Sequence, residues 1–207
     1  MKNIIKKTLG ATILSIFSLM SANAQTHDIS LNLAPIAFSN YSGNYFFNLT
    51  DKTAVGGVIG YQNLEMTSTS SFSTTPLKYT YGGFYLAPEG RYYFNPSDAN
   101  DGYFIGGYLK FRSMGTSGNA LSGLDIDGTY KEYDSRNTGI SLGLTSGRMF
   151  VTDFGLTIST WAGIGYYLYD KETFTNNFKP DPTFSLDTNL PSLDFRVGIN
   201  VGYRIGM

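Results

Sequence analysis

The sequence predicts an all-β fold, an eight-stranded antiparallel up-and-down transmembrane β-barrel, and three observations carry that expectation. Apolar and polar residues alternate with a period of two through many segments. An export signal opens the chain, and no later apolar run is long enough for a membrane-spanning helix, which takes about 20 residues. The connections between alternating segments are short and long by turns, as a barrel with both termini on the periplasmic side requires.

Composition agrees. The 207 residues suit one domain. Charged residues make up 15% of the chain, against roughly 25% in ordinary soluble proteins. Aromatic residues also reach 15%, and glycine is frequent at 24. A surface that meets water everywhere needs more charge than this. The absence of cysteine excludes disulfides and thiolate metal sites. No acidic or basic extreme points to a nucleic-acid partner.

Taken in order, residues 1–24 read as a signal peptide. Lys2, Lys6 and Lys7 form a positive head, Leu9 to Met20 is apolar, and Ala22-Asn23-Ala24 is the small-x-small pattern of a cleavage site. The barrel domain, 25–207, then begins at Gln25, and no cysteine marks a lipoprotein anchor. It keeps 12 of the 15 basic residues and all 16 acidic ones, a formal charge of −4 (12 − 16).

The last segment is the clearest strand. From Phe195 to Met207 every odd position is apolar or aromatic, and from Asp194 to Gly206 every even position is polar or glycine. Seven weaker segments precede it. They are centred on Ile29–Leu33, Tyr45–Leu49 (where Phe46 breaks the rule), Val55–Tyr61, Phe84–Phe94, Tyr103–Phe111, Ile140–Leu144 and Leu156–Leu168. Short connections are expected near Asp51-Lys52, Asn95 to Asp101 and Val151 to Asp153. Long polar ones are expected at Glu65–Lys78, Gly115–Asp134 and Asp170–Ser192, with a shorter loop near Ser39–Gly43. Tyr92, Phe94, Tyr103, Phe150, Phe154 and Tyr203 cluster beside the short turns, where an interfacial girdle belongs.

A secreted soluble barrel alternates too, with its apolar face inward. The other face separates the two: here it is Gly, Ser, Asn and Tyr with a few charges, which suits a narrow bore filled by side chains. Pro35 and Pro88 fall inside proposed strands, where bulges are the expected accommodation.

The stretch Leu86-Ala87-Pro88-Glu89-Gly90-Arg91-Tyr92-Tyr93-Phe94, followed by Gly102-Tyr103-Phe104-Ile105-Gly106-Gly107-Tyr108-Leu109, resembles a family of uncharacterised outer-membrane barrels common in Bacteroidetes. The whole is more distantly similar to the small OmpW and OmpX barrels. The resemblance implies fold and a cell outer-membrane location, and carries no activity. Met207 departs from the aromatic ending usual in such barrels.

Candidate chemistry is sparse. The single histidine, His27, stands just before the first strand, at the wrong end to serve a catalytic group, so a Ser-His-acid mechanism has no base and no enzyme is expected. Metal sites lack His and Cys ligands, and no cofactor is expected. Asp98, Asn100, Asp101 and Gly102, like Asp125, Asp127 and Gly128, resemble parts of a calcium loop, but turn chemistry accounts for both. Strand parity sends Glu89, Arg91, Lys110, Arg112 and Arg196 inward, and we expect Glu89 to pair with one of these cations and help close the lumen. These residues suggest a structural or surface-interaction barrel with a side-chain-filled lumen. The alternatives are a narrow porin-like conduit for small or apolar solutes and, third, an enzyme acting on lipids. The expected partners are outer-membrane lipids (lipopolysaccharide and phospholipid), the barrel assembly machinery, and an extracellular ligand met through the outer loops.

Overall fold

A computed structural model describes residues 26–34, 36, 39–68, 77–97, 100–120, 131–174 and 193–206. Residues 1–24, expected to be a signal peptide, lie outside the described residues, as do Pro35, Asp98, the Asp125–Gly128 segment and Met207. Eight strands form one sheet: β1 His27–Asn32, β2 Asn40–Thr50, β3 Thr53–Ser68, β4 Leu77–Phe94, β5 Gly102–Ala120, β6 Lys131–Val151, β7 Leu156–Phe174 and β8 Leu193–Ile205. Each pairs antiparallel with its sequence neighbour, and β1 pairs with β8 to close the barrel.

The ladder climbs as it goes round. Register partners lead from Arg204 through Asp28, Phe46, Gly56, Glu89, Tyr108, Gly143 and Gly165 back to β8 at Asp194, ten residues higher (204 − 194). Eight strands with that stagger tilt by about 40° and enclose a bore about 8 Å in radius. Side chains can fill such a bore.

Alternation then sorts the residues. Phe195, Val197, Ile199 and Tyr203 point outward and are exposed, while Asp194, Arg196, Asn200 and Arg204 point inward and are buried. The same inversion of a soluble protein's order holds around the ring. On the strands, the described outward charges are Arg148 near the short-turn end and Glu65, Asp134, Arg136 and Lys171 far toward the opposite end. Between them the outer wall is apolar. Along β8, from Leu193 to Ile205, this belt is about 30 Å tall, enough for a bilayer's hydrocarbon core. The six expected girdle aromatics are all exposed. Arg148 reaches into that girdle, its guanidinium 4.9 Å from the Tyr103 ring centre and 4.4 Å from that of Phe150. A cation held on aromatic faces at the rim is the behaviour of an interfacial arginine.

The short turns are where they were expected, at 51–52, 95–101 and 152–155. Gly102 and Gly155 take positive φ there (82° and 90°), a region that L side chains resist. The long connections are shorter than expected. β3 to β7 continue beyond Glu65, Gly115 and Asp170 into polar sequence, because ladder hydrogen bonds above the lipid need no apolar face. The loop placed at Ser39–Gly43 is not there: β1 ends at Asn32, Leu33 lies outside it, and Asn40 already begins β2. Phe46, the exception in its segment, is buried inside the barrel. The bulge expected at Pro88 is also absent. The β4–β5 pairing skips 87–88 but resumes in the same register at Glu89 and Tyr108. The register shifts instead beside Leu49 on β2 and beside Leu168 on β7.

Candidate functional site

The lumen is filled from the short-turn end upward. At the foot, Arg204 grips Asp28 with two hydrogen bonds, Nε to Oδ1 at 2.7 Å and Nη2 to Oδ2 at 2.9 Å. Asn48 Nδ2 donates to Asp28 Oδ2 at 3.0 Å and to the Thr26 hydroxyl at 2.7 Å. The turn between β4 and β5 folds beneath this pair. Asn100 is fully buried, hydrogen-bonds to Asn48, gives its N–H to the Asp51 carbonyl at 2.8 Å and accepts Arg204 Nη2 on its own carbonyl at 3.2 Å.

Above lies an apolar plug of Phe46, Ala54, Tyr93, Phe104, Met149 and Trp161. Arg91 crosses it, its guanidinium 3.7 Å from the centre of the Phe46 ring and 4.4 Å from that of Phe104. The Arg91 head ends on Glu89, with Nε 2.7 Å from Oε1. Thr145 donates to the same oxygen at 3.0 Å. Arg196 Nη1 lies 3.7 Å from the other oxygen, Oε2. The Arg196 guanidinium stands over the rings of Tyr108 (4.4 Å) and Trp161 (5.0 Å).

A second carboxylate hub sits higher. Asp194 accepts Lys110 Nζ at 2.6 Å, the Tyr108 hydroxyl at 2.9 Å, the Ser141 hydroxyl at 2.9 Å and the Tyr167 hydroxyl at 3.3 Å. Above it Arg112 Nη2 bridges both oxygens of Asp170, at 3.0 and 2.9 Å, with its guanidinium 4.0 Å from the Tyr167 ring centre. The Leu168 bulge makes this pair. Two successive residues, Leu168 and Tyr169, are exposed, so parity reverses and Asp170 faces Arg112 across Gly139.

Glycines on the inner wall give these rings room. A Cβ at Gly165 would stand 2.5 Å from the Tyr108 hydroxyl oxygen, and one at Gly198 would stand 2.5 Å from Trp161 Cε2. Large inward side chains on one strand are matched by bare positions on the strands beside it.

All five sequence-derived residues therefore face the lumen, but they divide between hubs. Glu89 takes Arg91 and Arg196, whereas Lys110 belongs to Asp194 and Arg112 to Asp170. The carboxylates Asp28, Asp194 and Asp170 were not singled out. Even parity on β8 was a signal for Asp194 and Arg204, but no cue in β1 tied Asp28 to a strand distant in sequence. His27 faces outward against Tyr45 and Phe47, with Nδ1 2.8 Å from the Tyr45 hydroxyl. Asn100, Asp101 and Gly102 act as a turn, in which Asp101 Oδ1 accepts the Ser97 N–H at 2.6 Å.

The filling stops partway. A cavity of about 380 Å³ occupies the outer half of the bore, with Trp161, Val58 and Arg196 at its lower end and Tyr81, Met114 and Arg112 higher. Among the described residues, the aromatic plug and the Asp28–Arg204 layer stand below this cavity.

No curated protein matches the sequence. Among solved structures, the crystal structure of a major outer membrane protein from Thermus thermophilus is similar over 87% of this chain and 98% of that one, at 12% identity and a TM-score of 0.42. That likeness is too slight to bear on function. A family model does match, over residues 10–189, from before the first strand to just short of β8. The chain belongs to the family described as Protein of unknown function (DUF3575).

Proposed function

We propose that this is an exported, non-enzymatic barrel of a Gram-negative outer membrane, serving structure or surface interaction rather than conduction. The observation that carries the reading is the layered closure of the lower bore. Asp28, Arg204, Asn48 and Asn100 seal the foot, and the aromatic plug with Arg91 and Glu89 lies directly above. Every charge in those layers has a partner of opposite sign, so the lumen is held shut by pairs that are costly to break. The apolar belt supports residence among outer-membrane lipids, and insertion there implies the barrel assembly machinery as a transient partner. Thr26, buried and bonded to Asn48, supports a mature chain anchored from its second residue after a cut at Ala24. The resemblance to Bacteroidetes barrels and to OmpW and OmpX fits the same assignment. The outer mouth, where β3 to β7 rise above the lipid, is the face offered to an extracellular ligand.

Planar bilayer recording tests the reading. The refolded barrel is expected to insert without steady conductance. Reproducible ohmic steps from pure, folded protein would replace it with the porin-like conduit.

A further inference from the structure

The outer wall carries a trough on its β5 to β8 side. Outward residues there fall into rows that follow the register from strand to strand. Phe150 stands beside Ile158 in one row and Leu144 beside Ile164 in another. All four are exposed, and they form two ridges. The two rows between them hold Arg148 beside Thr160 and Ser146 beside Ala162. Small side chains sink the wall at these positions. Ser146 donates its hydroxyl to the Phe104 carbonyl at 3.2 Å, which leaves its methylene facing the trough. Val197 and Ile199 continue the hollow onto β8, and it encloses about 600 Å³.

The register runs from Tyr103 across Arg148 and Thr160 to Ile199. Three strand spacings make this path about 14 Å long, close to one leaflet of a hydrocarbon core about 30 Å thick. Because the ladder climbs from β5 to β8, the trough rises from the aromatic girdle into the apolar belt.

Its lower end is cationic. Among the described residues, Arg148 touches the Tyr103 and Phe150 rings and the Tyr103 hydroxyl, 3.4 Å from Nη1, and no carboxylate pairs with it. Ring faces hold the plane of a guanidinium but accept none of the N–H groups at its edge. At the level of the girdle those donors meet lipid headgroups, and a phosphate diester presents two oxygens to the fork.

We propose that this trough binds one glycerophospholipid from the leaflet on the short-turn side. The phosphate sits on Arg148 beside the Tyr103 hydroxyl. One acyl chain lies over Ser146, Thr160 and Ala162, between the two ridges. The proposal rests on the reading of the chain as a membrane barrel with periplasmic short turns, and gives that barrel a fixed lipid.

Native mass spectrometry of the mature, folded protein in maltoside micelles tests the site, with phosphatidylglycerol as the titrant. A saturable adduct of one lipid per barrel is expected. Diacylglycerol with the same chains, which lacks the phosphate, should add little, and inorganic phosphate should not displace the bound lipid. Arg148→Gln should raise the half-saturation concentration about tenfold, the effect of one lost charge-assisted hydrogen bond. Thr160→Phe, which fills the trough and leaves the cation in place, should weaken binding by a similar factor. Arg136→Gln, an outward cation toward the opposite end, should leave it unchanged. Adducts that never saturate, that form equally with diacylglycerol, that inorganic phosphate displaces, or that ignore both trough substitutions would overturn the site. Loss of the folded, heat-modifiable gel band in the unaltered protein would instead count against the membrane-barrel reading.

Discussion

At the scale of single residues, the interior is a set of carboxylates each shared among several donors. Glu89 shows what that implies. Its side chain is fully buried between Arg91 and Arg196, so Glu89→Gln leaves two cations facing a neutral amide. We expect a loss of about 3–5 kcal/mol, the usual result of breaking a buried pair from one side, read as a lower urea midpoint in vesicles. An unchanged midpoint would mean that these groups are hydrated separately. Gly198 makes a steric prediction. Gly198→Ala drives a methyl into the Trp161 ring, at a cost of about 1–3 kcal/mol for overpacking. Trp161→Leu in the same chain should recover most of it, measured as a double-mutant cycle. Parity in the sequence was enough to turn Glu89, Arg91, Lys110, Arg112 and Arg196 inward. It could not pair them, because Asp194 meets Lys110 across 84 residues of sequence and a strand pattern holds no information about what lies across a bore.

At the scale of the strand, β6 separates depth from composition. Leu144 and Phe150 both face outward, but Leu144 lies mid-belt and Phe150 in the girdle beside Arg148. Leu144→Arg should cost about 2–4 kcal/mol and Phe150→Arg about 0–1 kcal/mol, because a long cation reaches headgroups only from the rim. Equal costs in a refolding titration would place the belt elsewhere. Strand identity and the short turns were legible, since alternation and Asn, Asp and Gly punctuate the chain. Strand ends were not. Above the lipid the outer face also carries polar residues, as at Glu65, Asp134, Arg136 and Lys171, so the period-two signal fades although pairing continues. The Leu168 bulge was equally hidden: simple alternation would turn Asp170 away from Arg112, and only the register shift in the β6–β7 pairing reverses it. Pro88 predicts a bulge, yet it is carried by skipping ladder positions without a change of register.

At the scale of the whole molecule, closure below and a cavity above make the two ends unlike. The expected silence in bilayer recordings follows from the lower half alone, whereas the room left inside the bore belongs to the upper half. The seam that closes the ring pairs only the six residues of β1 with β8, as many as β1 pairs with β2. The Asp28–Arg204 clamp spans this joint at its lower edge. Sliding the joint by two residues would keep every side chain on its own face and cost little in backbone bonding, but it would widen or narrow the cylinder by about 0.7 Å in radius. Such a slip would set Asp28 opposite glycine, either Gly202 or Gly206, instead of Arg204. One ion pair thus acts as a gauge for the calibre of the entire tube, and the fit of every ring and socket inside depends on it.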